Sequence, residues 1–190
     1  MKQIINKAFT IYLLKFLGCF CLLYYGTKAW IGITIPGGYY SYYAAHYLDY
    51  ISVLRQSLLY GAKVFLLLFG YHSNIENTFY LRMVNGRSIH MVYSCLGYGI
   101  SSFWVAFIFA NEGDVKKKLL WIISGVFLIW IINVTRISML LLAINNNWHF
   151  PLGLNHHTWF NIVAYACIFT GIIFYDRSTK KEVKETYVSA

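Results

Sequence analysis

Apolar runs set the plan of this chain. Five stretches, at about residues 9–33, 51–70, 96–110, 119–144 and 159–175, are dominated by Leu, Ile, Phe, Val and Ala and are broken by few charges. A helix that crosses a bilayer needs about 20 mainly apolar residues. The pattern therefore predicts an all-α, multi-pass transmembrane bundle of about five spans, forming one membrane domain over residues 1–190. The third run is the shortest. Between the first two lies Ile35-Pro-Gly-Gly-Tyr-Tyr-Ser-Tyr-Tyr43, which Pro and Gly mark as a loop.

Before the third run, over residues 78–93, the pattern changes. Thr78-Phe-Tyr-Leu-Arg-Met-Val84 and Arg87-Ser-Ile-His-Met-Val-Tyr93 are rich in β-formers, and Asn85-Gly86 separates them. Asn-Gly between such runs predicts a hairpin closed by a type I′ turn, with positive φ at both residues. The expected element is a small extracytoplasmic β-hairpin that delivers Cys95 to the mouth of the third helix.

Composition agrees with a membrane domain. Charged residues are 12% of the chain and hydrophobic ones 58%, against about 25% charged in a soluble domain. The formal net charge is +9. In a soluble protein that balance would suggest nucleic acid. Here Lys and Arg flank the apolar runs, where they hold loops on the cytoplasmic side and meet anionic lipid, so no nucleic-acid partner is expected. The four cysteines show neither a disulfide framework nor zinc spacing. Cys19, Cys21 and Cys167 lie inside apolar runs, and only Cys95 lies at the edge of one. No cofactor motif or metal site is found.

The basic clusters set an orientation. Lys116-Lys117-Lys118 and the tail residues Arg177, Lys180, Lys181 and Lys184 bracket a loop, Asn145 to Asn155, without Lys or Arg. The positive-inside rule places both clusters in the cytoplasm and that loop outside. The expectation is a cytoplasmic (inner) membrane protein with its C-terminus inside and Cys95 at the outer face. Five simple spans would then put the N-terminus outside, against Lys2, Lys7 and Lys15. Either the second segment is re-entrant or the first is not a simple span.

Three chemical groups fall in one layer. Cys95 starts the third helix on the outer side. Arg136 lies 17 residues after Leu119, about 25 Å along a helix, near the outer edge of a hydrocarbon core about 30 Å thick. His156 and His157 start the fifth helix on that same side. Asn133, three residues before Arg136, shares its helical face and could orient the guanidinium. Asn161, four residues after His157, could orient that ring. Together these groups suit acyl transfer. A neutral His takes the thiol proton or holds a thiolate–imidazolium pair, and Arg136 stabilises a tetrahedral oxyanion at low dielectric. Each residue also has a plain reading: an Arg that snorkels to the headgroups, a buried apolar thiol, interfacial histidines. The glycines Gly97 and Gly99 after Cys95 weigh against the plain thiol, because they let a second chain approach the backbone.

The ordered set Cys95-Leu-Gly97, Asn133-Val-Thr-Arg136-Ile and Asn155-His-His157 resembles the exosortase/archaeosortase family of multi-pass membrane enzymes, proposed to be cysteine transpeptidases. Gly37-Gly38, and Cys95-Leu-Gly-Tyr-Gly99 followed by Phe103-Trp104, look most like the short bacterial exosortases of the X type. The resemblance covers about residues 30 to 165. It implies a cysteine peptidase acting on secreted proteins with a C-terminal sorting tail, made of a short motif, a hydrophobic helix and a basic end. By it Cys95 is the nucleophile and Arg136 the stabilising Arg. His157 is the third residue, because Asn161 stands where relatives often have Gly four residues on, and His156 is the alternative. Leu96 departs from the Ser or Thr that many relatives carry, and the chain is shorter than full-length exosortases. Two other readings remain: a non-catalytic membrane subunit of a surface-export or exopolysaccharide assembly, and a small anion transporter using Arg55, Lys63 and Arg136. A transporter usually carries an internal repeat, and none is seen.

Overall fold

A computed structural model describes the backbone of residues 2–35, 39–148 and 156–188, and the side chains of residues 7–35, 39–148, 158 and 161–178. In order, the elements are α1 Lys2–Thr34, α2 Tyr42–Tyr47, α3 Tyr50–Leu68, β1 Ser73–Glu76, β2 Tyr80–Met83, β3 Ser88–His90, a 3₁₀ turn Tyr93–Leu96, α4 Tyr98–Ala110, α5 Val115–Asn145 and α6 His156–Val188. All five apolar runs are thus helical. Among the described residues, three stretches are long and apolar enough to cross a membrane: Lys7–Thr34, Tyr42–Leu68 and Val115–Asn145. Helix α4, with 13 residues, is only about 20 Å long. The Gly37-Gly38 loop lies outside the described residues.

Asp caps fix two helix starts. Asp49 accepts from the Ser52 N–H at 3.0 Å ahead of α3, and Asp114 from the Lys117 N–H at 3.3 Å ahead of α5. Each satisfies a backbone donor that the first turn leaves open. Aromatic rings at i, i+4 spacing form a ladder up α1 (Tyr12, Phe16, Phe20, Tyr24) with neighbouring centroids 5.6–6.4 Å apart. The ladder packs on α4: Phe16 meets Phe103 edge-on at 5.4 Å and Tyr24 meets Tyr98 at 5.6 Å. The later residue of α1 thus faces the earlier residue of α4, so the two run antiparallel.

Helix α4 is also antiparallel to α5. Its first residues lie by Asn133, Trp104 Nε1 donates to the Trp121 carbonyl at 3.0 Å, and Lys118 Nζ reaches the Phe109 carbonyl at 3.4 Å. Helix α6 returns beside α5, with Tyr175 edge-on to Trp121 at 5.6 Å. The bundle therefore has two ends, one marked by Lys118 and the other by Cys95.

Helix α3 breaks the up-and-down pattern. Its first residue, Tyr50, donates to Thr27 Oγ1 at 3.2 Å, beyond Tyr24 on the way to the Cys95 end of α1. Along its middle it runs with α5: Trp130 Nε1 donates to Ser57 Oγ at 3.1 Å and Ser138 Oγ to the Ala62 carbonyl at 3.3 Å. Its last residues feed β1. Helices α3 and α5 therefore run side by side in the same direction.

The hairpin forms where β-formers predict it, within a three-stranded antiparallel sheet of order β1-β2-β3. Leu81 faces Ile89 and Tyr80 faces His90. The turn is not as expected. Gly86 N–H donates to the Met83 carbonyl at 2.9 Å, so the central residues are Val84 and Asn85, and only Asn85 has positive φ, 59°. Gly86 is instead needed for room, because a Cβ there would collide with the Asn145 side chain of α5. Asn145 Oδ1 accepts from the Arg87 N–H at 2.7 Å and pins the hairpin tip to the end of α5. Positive φ at both central residues occurs in the β1–β2 turn, at Asn77 (48°) and Thr78 (59°). Strand β1 was not anticipated. Its four residues are too few to show alternation, and it forms because β2 offers a free edge.

One buried core joins the sheet to the helices. Leu58, Leu59, Ala62 and Leu66 of α3, Leu81 and Ile89 of the sheet, Leu96, and Val134, Ile137 and Leu141 of α5 pack together. Large apolar side chains such as Leu22, Phe127 and Phe169 face outward instead.

Candidate active site

The site is assembled at the junction of the 3₁₀ turn, α4 and α5. Met91 N–H donates to the Phe79 carbonyl at 2.8 Å, and Cys95 N–H to the Val92 carbonyl at 2.9 Å. The sheet thereby sets where the turn begins. The turn ends at Gly97, whose φ of 75° is left-handed. A Cβ at Gly97 would strike Asn133 Nδ2. Gly97 is therefore required twice, by its dihedral and by its neighbour. The occupant of that space is a side chain of the same protein. This corrects the expectation that Gly97 leaves room for a second chain, and Gly99 likewise faces Tyr24, 3.4 Å from where its Cβ would stand. Asn133 is buried and packs on the turn; its visible role is to seat Gly97 rather than to aim a guanidinium.

Arg136 lies one turn further along α5. Its Nη2 donates to Cys95 Sγ at 3.7 Å, across 41 residues of sequence. Both side chains are half-buried. The sequence expectation that a thiol and a guanidinium share one layer on neighbouring helices is met, at contact distance. A guanidinium carries five N–H groups, the kind of donor set that a developing oxyanion needs.

For the two expected histidines the structure describes only the backbone of their helix. From Trp121, 15 residues of α5 lead to Arg136, and from Tyr175, 14 residues of α6 lead back to Asn161. These rises are equal to within about 2 Å. Asn161 is therefore level with Arg136, and His156 and His157 begin α6 about one turn beyond. The side chains of His156 and His157, and all of Asn155, lie outside the described residues. Asn161 is exposed.

Arg55, which the sequence offered to an anion path, lies behind the turn that carries Cys95. It is 4% exposed. Its Nε donates to the Thr78 carbonyl at 3.1 Å and its Nη2 to Ser52 Oγ at 2.9 Å. Its guanidinium lies over the Phe79 ring at 3.8 Å and faces Tyr93 at 5.7 Å. Apolar, aromatic surroundings of this kind do not suit a passing anion. Among the described residues no group of three His, Cys, Asp or Glu is placed to hold a metal, and Cys19, Cys21, Cys95 and Cys167 are all free thiols.

Comparison with known proteins identifies no relative: no family model, no curated protein and no solved structure matches the chain.

Proposed function

We propose that this protein is a membrane-embedded cysteine peptidase or transpeptidase that processes the C-terminal sorting signals of secreted proteins at the outer face of the cytoplasmic membrane. The observation that carries this reading is the Cys95–Arg136 contact, with Nη2 and Sγ 3.7 Å apart. A guanidinium half-buried inside an apolar bundle is costly to place, and here it meets a nucleophile. The resemblance to the exosortase/archaeosortase pattern at Cys95, Arg136 and His157 supplies the substrate class.

In the reaction, Cys95 Sγ gives its proton to His157, or to His156 in the alternative assignment, and attacks a peptide carbonyl carbon. Arg136 N–H groups meet the oxyanion. The C–N bond breaks, the leaving amine takes the proton from the imidazolium, and a thioester on Cys95 remains. Water or an amine then attacks the thioester and returns the thiol. The site lies toward the end of the bundle marked by Cys95, where a membrane-anchored tail would emerge.

The helix directions support a topology as well. If α1, α4, α5 and α6 cross and α3 enters and leaves on the outer side, the count of crossings is even. Lys2, Lys7, Lys15, Lys116–Lys118 and the basic tail then all lie in the cytoplasm, as the positive-inside rule asks. Reporters fused to the two termini should read the same side.

The test is cleavage of a co-expressed tailed substrate in cells. Wild type should process it, and Cys95→Ala, Cys95→Ser and Arg136→Gln should not, at equal levels in the membrane. Processing that survives Cys95→Ala rules out the nucleophile and leaves the non-catalytic export subunit.

A further inference from the structure

The geometry points to Arg55 as the positioning residue of the candidate site: it holds the Cys95 turn at the distance at which Arg136 can reach the thiol. This rests on reading Cys95 and Arg136 as a working pair.

Three hydrogen bonds lead from Arg55 to Cys95. Arg55 Nε holds the Thr78 carbonyl at 3.1 Å. Thr78 has φ of 59°, a conformation that a β-branched residue adopts only when its surroundings impose it. The next carbonyl, that of Phe79, takes the Met91 N–H at 2.8 Å, and the Val92 carbonyl takes the Cys95 N–H at 2.9 Å. Rings run alongside. The Arg55 guanidinium covers Phe79 at 3.8 Å, Phe79 meets Tyr93 edge-on at 6.5 Å, and Tyr93 is the first residue of the turn that carries Cys95. A guanidinium can bond in its plane and stack through its face at once.

The other side of Arg55 is anchored. Its Nη2 donates to Ser52 Oγ, which donates to Asp49 Oδ2 at 2.5 Å, and Asp49 caps α3. The rigid start of α3 thus fixes the guanidinium, and the guanidinium fixes the β1–β2 turn. A buried cation whose only task was to fasten a loop would be better replaced by an apolar side chain. Arg55 instead sits where its bonds converge on the backbone that leads to the thiol.

The test is a double-mutant cycle on the reactivity of Cys95, in purified full-length chain, and it needs no substrate. Alkylation of Cys95 by a charged maleimide is followed by peptide mass, at matched folded fraction. With Arg55 present, Arg136→Gln should slow alkylation about threefold or more. In the Arg55→Gln background, Arg136→Gln should change the rate less than about 1.5-fold, because the pair is already apart. A merely structural role would lower stability and leave the two factors equal. Equal, sizeable factors overturn the role of Arg55 and keep the Cys95–Arg136 pair. No effect of Arg136→Gln in either background overturns both. Should Arg55→Gln fail to fold, Phe79→Leu, which removes the ring beneath the guanidinium, should shrink the Arg136 effect in the same direction; an undiminished effect there overturns the proposal.

Discussion

Adding one methyl group at Gly97 tests the architecture of the site directly. The change Gly97→Ala meets two independent obstacles. Its φ of 75° puts an L-residue in the left-handed region, at about 1–2 kcal/mol. Its Cβ would also overlap the Asn133 amide, and forcing a side chain out of a packed position costs about 1–3 kcal/mol. Together the expected loss is about 2–5 kcal/mol. Asn133→Ala removes the second obstacle and leaves the first. The double mutant should therefore be more stable than the two single losses imply, by a coupling of about 1–3 kcal/mol. Gly70 provides the control: its φ is 81° and nothing lies within 4 Å of its missing Cβ, so Gly70→Ala should lose only the dihedral part, about 1–2 kcal/mol. The assay is unfolding of purified chain in mixed micelles by increasing SDS, followed by far-UV circular dichroism. Substrate processing should fall with Gly97→Ala, because the residue that moves is two positions from Cys95. If Gly97→Ala costs no more than Gly70→Ala and the cycle with Asn133→Ala sums to zero, Asn133 does not seat the turn and the site geometry is wrong.

Other substitutions probe the supports of the site. Asn145→Ala should cost about 1–2 kcal/mol and speed amide exchange at Arg87 and its neighbours, since the Asn145 bond at 2.7 Å to the Arg87 N–H ties the hairpin to α5; unchanged exchange there would refute the clamp. Gly125→Leu should prevent folding, because Trp104 fills the place of a Gly125 side chain and Trp104 is buried against α5; an accumulating, normally unfolding variant would contradict that packing. Glu76→Gln should change stability by less than about 1 kcal/mol, although Glu76 and Arg82 form an ion pair at 2.8 Å, because both side chains are more than 40% exposed; a larger loss in the same SDS titration would mean that the pair bridges to something more.

The apolar runs and the β-formers were legible because each is a local signal. Segment length and charge placed five helices and one hairpin, and Cys95 and Arg136 were drawn to one layer by helical rise alone. The turn of the hairpin was misjudged for a reason of the same kind. Asn-Gly is the preferred local pair for a type I′ turn, but the glycine was needed for the Asn145 side chain, far along the chain in α5, and the turn closed one position earlier. Gly97 was correctly singled out but given the wrong neighbour, since nothing in the order Cys95-Leu-Gly97 shows that Asn133 will lie against it.

By itself, then, the sequence determined that this chain is helical, apolar and built to sit in a membrane, with a thiol and a guanidinium at one depth. Those properties follow from side-chain hydrophobicity and helix period, which need no partner. Tertiary structure alone decided that α3 runs in the same direction as its neighbour α5, that β1 completes the sheet, and that Arg55 stands behind the turn of Cys95. Each depends on contacts between residues far apart in the chain, where packing and hydrogen-bond satisfaction outweigh local preference.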